Sequence, residues 1–378
     1  MIKNKFFEEI NGNFGFGCMR LTLKEDGNVD YDIFSKMVDE YIGAGFNYFD
    51  TAHGYLRGKS ETAIRDCIAK RYDRSKFLLT NKLTDPYFNS EEDIKTFFKQ
   101  QLEWCGVEYF DFYLMHAQDR NNYKKFTKHK AYEICSEFKK QGLIKHLGIS
   151  FHDKAEVLDM ILNEHPEIEI VQIQLNYIDW LDASVESKKV YEVCEKHGKP
   201  VIVMEPVKGG SLVNLPKEAD DILRKLNGGT NASYALRFAA SHPNIAMVIS
   251  GMNTMEQMQD NISTMKDFKE LSNDELNAIA KVVGIFNNLN LIPCTACHYC
   301  VEENTCPMNI RIPDLFSALN AYEAFHNWNT GFYYENVLTA KDFGKASDCI
   351  KCGMCESVCP QHLQIRELLE KVSNVFDN

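Results

Sequence analysis

Two sets of residues in this 378-residue chain have the types and spacing to do chemistry. The first comprises eight of the 13 cysteines: Cys294, Cys297, Cys300 and Cys306, then Cys349, Cys352, Cys355 and Cys359. A Cys-x2-Cys-x2-Cys run places three thiolates around one corner of a cubane cluster, and a fourth Cys before a proline commonly crosses to a second cluster. The second set is Asp50, Lys82 and His116, each standing where an apolar run stops, with Tyr55 five residues after Asp50. Together they make an acid–base group. Reducing a carbonyl with a hydride leaves an alkoxide that needs a proton. A phenol of pKa about 10 is a poor acid at neutral pH, and a nearby ammonium that stabilises the phenolate makes it a better one. On this reading Lys82 lowers the pKa of Tyr55, Asp50 pairs with Lys82 and holds it charged, and His116 hydrogen-bonds and orients the carbonyl oxygen. The competing reading is a structural ion pair and a core histidine.

These residues need elements to bring them together. The chain is longer than one compact core usually grows, which implies two units. Apolar residues at 44% and charged residues at 25% exclude disorder as the main state. A net charge of -12 with no basic patch argues against nucleic-acid binding. No apolar run is long enough for a membrane span and Met1–Phe7 lacks a signal-peptide core, so we expect a cytoplasmic protein. Clustered Cys in such a chain point to metal rather than disulfides. We therefore expect one unit over 1–285 and a small Cys-rich unit over 286–378. The scattered Cys18, Cys67, Cys105, Cys135 and Cys194 read as buried apolar residues. Cys18 and Arg20 could face the mouth of the site.

Apolar, β-rich runs recur near Phe14–Gly17 and at Phe46–Phe49, Phe77–Thr80, Phe110–Met115, Ile144–Ile149, Ile168–Leu175, Val201–Met204 and Ile245–Ile249. Unalternating runs suit strands buried on both faces. Helical spacing lies between them, as in Asp32–Ala44, Tyr132–Lys140 and Ser184–Lys196. Eight such units predict a (β/α)8 barrel, an α/β TIM barrel, followed by a small, mainly α domain. Asp50 to Lys82 is 32 residues, and Lys82 to His116 and His116 to Ser150 are 34 each, so these residues reach adjacent strand ends on one rim. A doubly wound sheet is the alternative, but no Gly-x-Gly-x-x-Gly follows a strand.

Phe49-Asp50-Thr51-Ala52-His53-Gly54-Tyr55 with Gly58-Lys59-Ser60-Glu61, Leu79-Thr80-Asn81-Lys82 and Tyr113-Leu114-Met115-His116 resembles the aldo-keto reductase family over about residues 14–270. The resemblance implies that Asp50, Tyr55, Lys82 and His116 form its catalytic tetrad, that the substrate is a small carbonyl or alcohol, and that NADP or NAD is the cofactor. It implies that Ser150 and Gln172 hold the carboxamide, with Gln174 as the alternative to Gln172. Phe151 stands where the family usually has Asn, and Met204 where it often stacks an aromatic ring. After Met204, the segment Pro206, Val207, Lys208, Gly210 and Leu212 is a Gly-rich loop whose N–H groups can meet a pyrophosphate. Gly251, Asn253, Gln257, Asp260 and Asn261 resemble the adenosine end, and the absence of Arg or Lys near Asn253 leaves NADP and NAD both open.

The tail resembles a two-cluster 4Fe-4S ferredoxin domain. Crossing of the fourth Cys predicts Cys294, Cys297, Cys300 and Cys359 on one cluster, and Cys349, Cys352, Cys355 and Cys306 on the other. Structural zinc is the competing reading, but zinc sites usually pair Cys-x2-Cys units across a spacer. The aromatic residues between the motifs, Phe316, Tyr322, Phe325, Trp328, Phe332 and Tyr333, read as helical core. The chain thus reads as an iron-sulfur aldo-keto reductase. Clusters move single electrons and nicotinamide a hydride, which leaves three arrangements: structural clusters, a bridging flavin that no sequence feature supports, or a barrel fed by the clusters without nicotinamide. The alternative function is an electron-transfer protein with the barrel as docking scaffold, exchanging with a partner such as ferredoxin or flavodoxin.

Overall fold

The computed structural model describes residues 3–182, 185–289, 291–302, 306–325, 329–340 and 343–377. It divides into two compact units, Met1–Pro206 with Ala232–Leu271, and Val207–Asn231 with Ser272–Asn378.

In the first unit eight parallel strands close into a barrel in chain order: β1 Phe14–Gly17, β2 Tyr48–Asp50, β3 Leu78–Leu83, β4 Phe110–Gln118, β5 Ile144–Phe151, β6 Ile170–Gln174, β7 Val201–Met204 and β8 Ile245–Gly251. All eight sequence runs become strands. The helices expected from spacing form at Tyr31–Gly43, Ala131–Lys140 and Ser187–Lys196. The first begins under Asp30, whose carboxylate accepts from the Asp32 and Ile33 N–H groups.

Side chains alternate across a strand, and this phase decides what the barrel encloses. Tyr48, Leu78, Phe112, Leu114, Ile170, Ile202 and Met247 pack together inside it. Their neighbours Phe49, Leu79, Tyr113, Val171, Val203 and Val248 join the larger core under the helices. Two-residue steps along the inner phase, from Tyr48, Thr80, Leu114 and Ile170, lead to Asp50, Lys82, His116 and Gln172. The inner wall is apolar below and polar at the carboxyl ends. Gly148 is required by this packing, since a Cβ there would sit 2.6 Å from the Ile170 carbonyl oxygen and from Leu114 Cδ2. At the other end Phe7 and Ile10 close the barrel, Phe7 meeting the Phe112 ring edge-on at 5.2 Å.

The second unit is helical. Its main helices are Lys217–Arg224, Asn273–Asn288, Ile312–Phe325 and Ile365–Phe376. Ser272 and Glu275 form a reciprocal capping box that starts the second of these. A small core gathers Ile310, Ile312, Leu315, Phe316, Leu369 and Val372 with Cys300 and Cys355. The aromatic stretch only partly joins it. Phe316 is buried, but Tyr322 and Tyr333 lie exposed. Six residues after Phe316, Tyr322 has passed the inward turn of its helix, and its ring meets Phe376 edge-on. Trp328 lies outside the described residues, as do the side chains of Phe325 and Phe332.

Candidate active site and cysteine cages

The four tetrad candidates meet at one end of the barrel. Lys82 Nζ donates to Asp50 Oδ1 at 2.7 Å, to the Thr51 carbonyl at 3.0 Å and to the Tyr55 hydroxyl at 3.2 Å. The rings of Tyr55 and His116 stand edge to face, 6.1 Å apart. Asp50, Lys82 and His116 are buried, and Tyr55 is 9% exposed at the mouth. Burial pushes the Asp50 carboxyl up and the Lys82 ammonium down, and each is pulled back by the other's charge. His116 is held well below the ordinary imidazole range by burial, then by Lys82 and His152, so it is neutral. Its Nδ1 lies 2.8 Å from Thr84 Oγ1. With the hydroxyl donating, Nδ1 accepts and Nε2 carries the proton.

Burial pushes the Tyr55 phenol well above its ordinary value, and the charges of Asp50 and Glu205 add to the effect. Lys82, which donates to the phenol oxygen at 3.2 Å, acts against that rise. Tyr55 keeps its proton at neutral pH.

Three consecutive residues after Tyr55 are left-handed: Leu56 at φ 52°, Arg57 at 56° and Gly58 at 81°. Two of them are not glycine, so the turn is strained and must be held from outside. The holding group is one the spacing did not reveal. His53 Nδ1 lies 2.6 Å from Glu61 Oε2, and the ring stacks on Trp104 at 4.4 Å. Glu61 is fully buried, and its Oε1 accepts from Asn81 Nδ2 at 2.8 Å and Gln101 Nε2 at 3.1 Å. Asn81 Oδ1 in turn accepts the Lys82 backbone N–H at 2.8 Å. One network thus ties the turn of Tyr55 to the strand of Lys82. The motif around Glu61 was visible in the sequence; its partners, 20 and 40 residues on, were not.

Ser150 and Gln172 are register partners on β5 and β6. Ser150 Oγ accepts the Ala117 N–H at 2.7 Å, which fixes a left-handed kink (φ 50°) directly after His116. Gln172 Nε2 donates to Asp50 Oδ2 at 3.3 Å, whereas Gln174 is bound to Asp179 at 2.7 Å. Met204 ends β7 half-buried and Pro206 is buried. Val207, Lys208, Gly210 and Leu212 fall in the second unit, where Lys208 and Leu212 are buried. Gly210 has no atom within 4 Å of a would-be Cβ. After Gly251, the helix Met255–Lys266 starts under Thr254, and Gln257 accepts the Asn253 N–H at 2.9 Å. Asn261 donates to Ser250 at 3.0 Å, and Asp260 lies one residue before it on the same helix. Cys18 is buried below this rim and Arg20 faces Glu205 at 3.8 Å. All five scattered cysteines are buried.

In the second unit Cys294, Cys297, Cys300 and Cys359 line one cavity, closed by Ile312 and Phe316. Burial raises the Cys300 thiol, and Cys297, Cys294 and Cys359 add to it. Cys355 is pushed up to about 11 by burial, then by Glu356, Cys349 and Cys306. Cys359 therefore stands with the first three cysteines of the other run, and Cys306 stands near Cys355 and Cys349. Among the described residues no three His, Cys, Asp or Glu side chains converge as the ligands of a single metal ion would. Four sulfurs spread around a cavity fit the donor set of a cubane cluster.

Comparison with known proteins gives two matches of family models: the aldo/keto reductase family over residues 13–283 and a 4Fe-4S dicluster domain over residues 293–363. An uncharacterized oxidoreductase, YqkF of Bacillus subtilis, is 24% identical over 300 residues, 70% of this chain and 90% of that protein. The NADH-specific methylglyoxal reductase of Escherichia coli is 26% identical over 205 residues, 50% of this chain and 60% of that protein. Among solved structures, an aldo/keto reductase from Klebsiella pneumoniae in complex with NADP and acetate aligns at a TM-score of 0.60 with 19% identity, covering 72% of this chain and 91% of that one.

Proposed function

Because this chain belongs to the aldo/keto reductase family and carries a 4Fe-4S dicluster domain, we propose that its barrel moves a hydride between NADP or NAD and a small carbonyl or alcohol. The observation that carries this reading is Lys82 Nζ, which reaches both Asp50 at 2.7 Å and the Tyr55 hydroxyl at 3.2 Å beside a neutral imidazole. In reduction, His116 Nε2–H donates to the carbonyl oxygen and orients it. The Tyr55 hydroxyl passes its proton to the oxygen as negative charge develops there. The Lys82 ammonium stabilises the phenolate left behind, and Asp50 holds the ammonium in place.

When bound, a nicotinamide supplies the hydride or accepts it. The residues present fit that group. The Ser150 hydroxyl, whose oxygen already accepts a backbone N–H, has its own proton left to donate to a carboxamide. Gln172 stands beside it in the inner phase. Gly210 leaves its backbone open to close approach by a pyrophosphate, together with Pro206, Val207, Lys208 and Leu212. Met204 would lie against the ring, and Gly251, Asn253, Gln257, Asp260 and Asn261 would take the adenosine end. The NADH and NADP named for the relatives support the cofactor class.

Cys294, Cys297, Cys300 and Cys359 would hold one 4Fe-4S cluster, and Cys349, Cys352, Cys355 and Cys306 the other. When bound, the two clusters store one electron each, together as many as one hydride carries. Residues 1–285 would thus do the carbonyl chemistry and 286–378 the electron storage, in the reducing cytoplasm and with an external carrier such as ferredoxin or flavodoxin.

The test is anaerobic titration of the iron-loaded protein with NADPH and NADH in the presence of small aldehydes. Stoichiometric nicotinamide oxidation and alcohol formation are expected. Clusters that cycle with an external carrier while neither nicotinamide binds would overturn the reading in favour of an electron-transfer protein.

A further inference from the structure

The rim of the barrel holds a second pair of opposite charges, outside the group that carries the proton. Arg20 ends the short turn Cys18–Arg20 that follows β1, and Glu205 follows β7. In the closed barrel β8 lies between those two strands. The Arg20 stem lies over the last residue of β8, since a Cβ built on Gly251 would stand 3.7 Å from Arg20 Cβ. The register sets Gly17, three residues before Arg20, level with Asp50 on one side and Gly251 on the other. Arg20 Nη2 stands 3.8 Å from Glu205 Oε1, an ion pair longer than a hydrogen bond.

Both residues are held more firmly than a surface ion pair requires. The Cys18 carbonyl accepts from Ser60 Oγ at 2.9 Å, and Ser60 Oγ lies 2.7 Å from Thr51 Oγ1. The turn of Arg20 is thereby fastened to the segment that carries Tyr55. Glu205 is left-handed at φ 56°, directly before Pro206. Asn176 Nδ2 holds it there by donating to the Glu205 carbonyl at 3.1 Å, and Asp179 accepts from the same nitrogen at 2.6 Å. Backbone strain that is maintained from outside collects at sites of function. The Tyr55 phenol, raised first by burial and then by Asp50, also feels both charges, Glu205 raising it and Arg20 lowering it. The pair therefore acts where the carbonyl oxygen is to receive its proton. A ligand arriving from solvent meets the cation first, because the Arg20 side chain is 33% exposed and that of Glu205 14%. Lys82 offers no such contact, being fully buried and given over to Asp50 at 2.7 Å. A guanidinium carries five N–H donors in a planar fork that matches a carboxylate bidentately.

We propose that Arg20 is a specificity-determining residue that receives a carboxylate of the substrate, so that the barrel prefers carbonyl compounds bearing a carboxylate, such as 2-oxo acids and semialdehyde acids. Glu205 holds the guanidinium at the rim and competes with the incoming carboxylate for it. In reduction the carbonyl carbon takes a hydride from the reduced nicotinamide, which is oxidised by two electrons, and the carbonyl oxygen takes the Tyr55 proton. The product is a hydroxy acid; the carboxylate keeps its charge and forms no covalent bond. The inference rests on the Tyr55 carbonyl chemistry, which uncharged aldehydes and esters test on their own.

The experiment uses the full chain, purified anaerobically with its iron, and matched substrates: pyruvate with methyl pyruvate, and succinic semialdehyde with its methyl ester. The quantity read is the ratio of kcat/KM for acid over ester. Any effect of the Arg20 charge on the phenol cancels in that ratio, because both substrates use the same phenol. We expect wild type to favour the acids about tenfold or more, and Arg20→Met to lower the ratio about thirtyfold. Arg20→Lys keeps the charge and loses the fork, and should lower it about fivefold. Glu205→Gln removes the competing carboxylate and should raise it about threefold. A merely structural ion pair would move acid and ester together, so a ratio unchanged by Arg20→Met would overturn the proposal. A ratio lowered as far by Arg57→Met, at the exposed cation two residues after Tyr55, would also overturn it. So would an Arg20→Met protein that keeps the acid preference and loses affinity for NADPH and NADH in fluorescence titration, which would assign the guanidinium to a cofactor phosphate. A wild type that reduces the esters as well as the acids would overturn the proposal and leave the carbonyl reading standing. Absence of turnover with every substrate and both nicotinamides would overturn the carbonyl reading and this inference with it.

Discussion

The rim of the barrel and the cysteine cages solve the problem of holding reactive groups in opposite ways. At the rim every functional group is tied to protein: Lys82 to three oxygen atoms, His116 to Thr84, and the Tyr55 turn to Glu61 through His53. The strands place these groups in phase with an apolar interior, so the site exists before any ligand arrives. In the cages the sulfurs are met by backbone N–H groups instead of side chains: Cys294 accepts from Ala296 at 3.4 Å and Cys359 from the Gln361, His362 and Leu363 segment, around a cavity walled by a small core. The lesson concerns where the folding energy resides. The barrel buries its own apolar surface, whereas so small an apolar cluster is marginal unless a metal centre adds binding energy to it.

Removing iron should break this symmetry of order most visibly. After anaerobic chelation we expect protease cleavage within 291–377 to speed up about tenfold or more while fragments of the barrel persist. Equal protection of both regions, with and without iron, would mean that the tail folds on its own.

A smaller effect is expected at the rim. Lys82→Met leaves the buried Asp50 carboxyl without its partner and should cost about 3–5 kcal/mol in denaturant unfolding of the barrel. Adding Asp50→Asn should restore part of that stability and none of the turnover. Iron content should not change in either variant. A single variant as stable as wild type would show that the pair is solvated rather than enclosed.

How much of this was legible in the sequence differs between the same two regions. The strands were readable because parallel strands buried on both faces are unbroken apolar runs, and Asp50, Lys82 and His116 stood out as polar residues at their ends. Three thiols of each cage were readable from local spacing, and the grouping of Cys359 with Cys294, Cys297 and Cys300 from the repeat of the run; those four line one cavity. What stayed hidden were contacts made by folding alone. Glu61 finds Gln101 40 residues away, and Gly209 packs on Thr295 with no motif to announce it. The rise of the Tyr55 phenol was hidden for the same reason, because a sequence does not display how completely a phenol is enclosed or that Glu205 faces it. The expectation of a helix from Ser184 starts at Ser187 instead, and 183–184 lie outside the described residues.

The smallest predicted effect separates barrel stability from cage stability by pH. Burial lowers the His242 imidazole to about 4, and its Nε2 has no hydrogen-bond partner. An unfolded imidazole titrates near 6.5, so below that pH the unfolded chain takes up the proton more readily than the folded one. The barrel should hold its full stability above about 6.5 and lose some of it as the pH falls toward about 4. His242→Phe should reduce that acid loss by a few degrees of Tm and leave the neutral-pH value nearly unchanged. Parallel Tm curves for variant and wild type from neutral to acid pH would remove His242 from the account.

The central claim is that the phenol above Lys82 is the proton donor of a carbonyl reduction, and it is tested most directly by Tyr55→Phe. The substitution keeps the ring and deletes one oxygen. With both proteins carrying the same iron and sulfide and the same affinity for NADPH, aldehyde-dependent NADPH oxidation should fall about hundredfold or more in the variant. Equal rates in the two proteins would contradict the account.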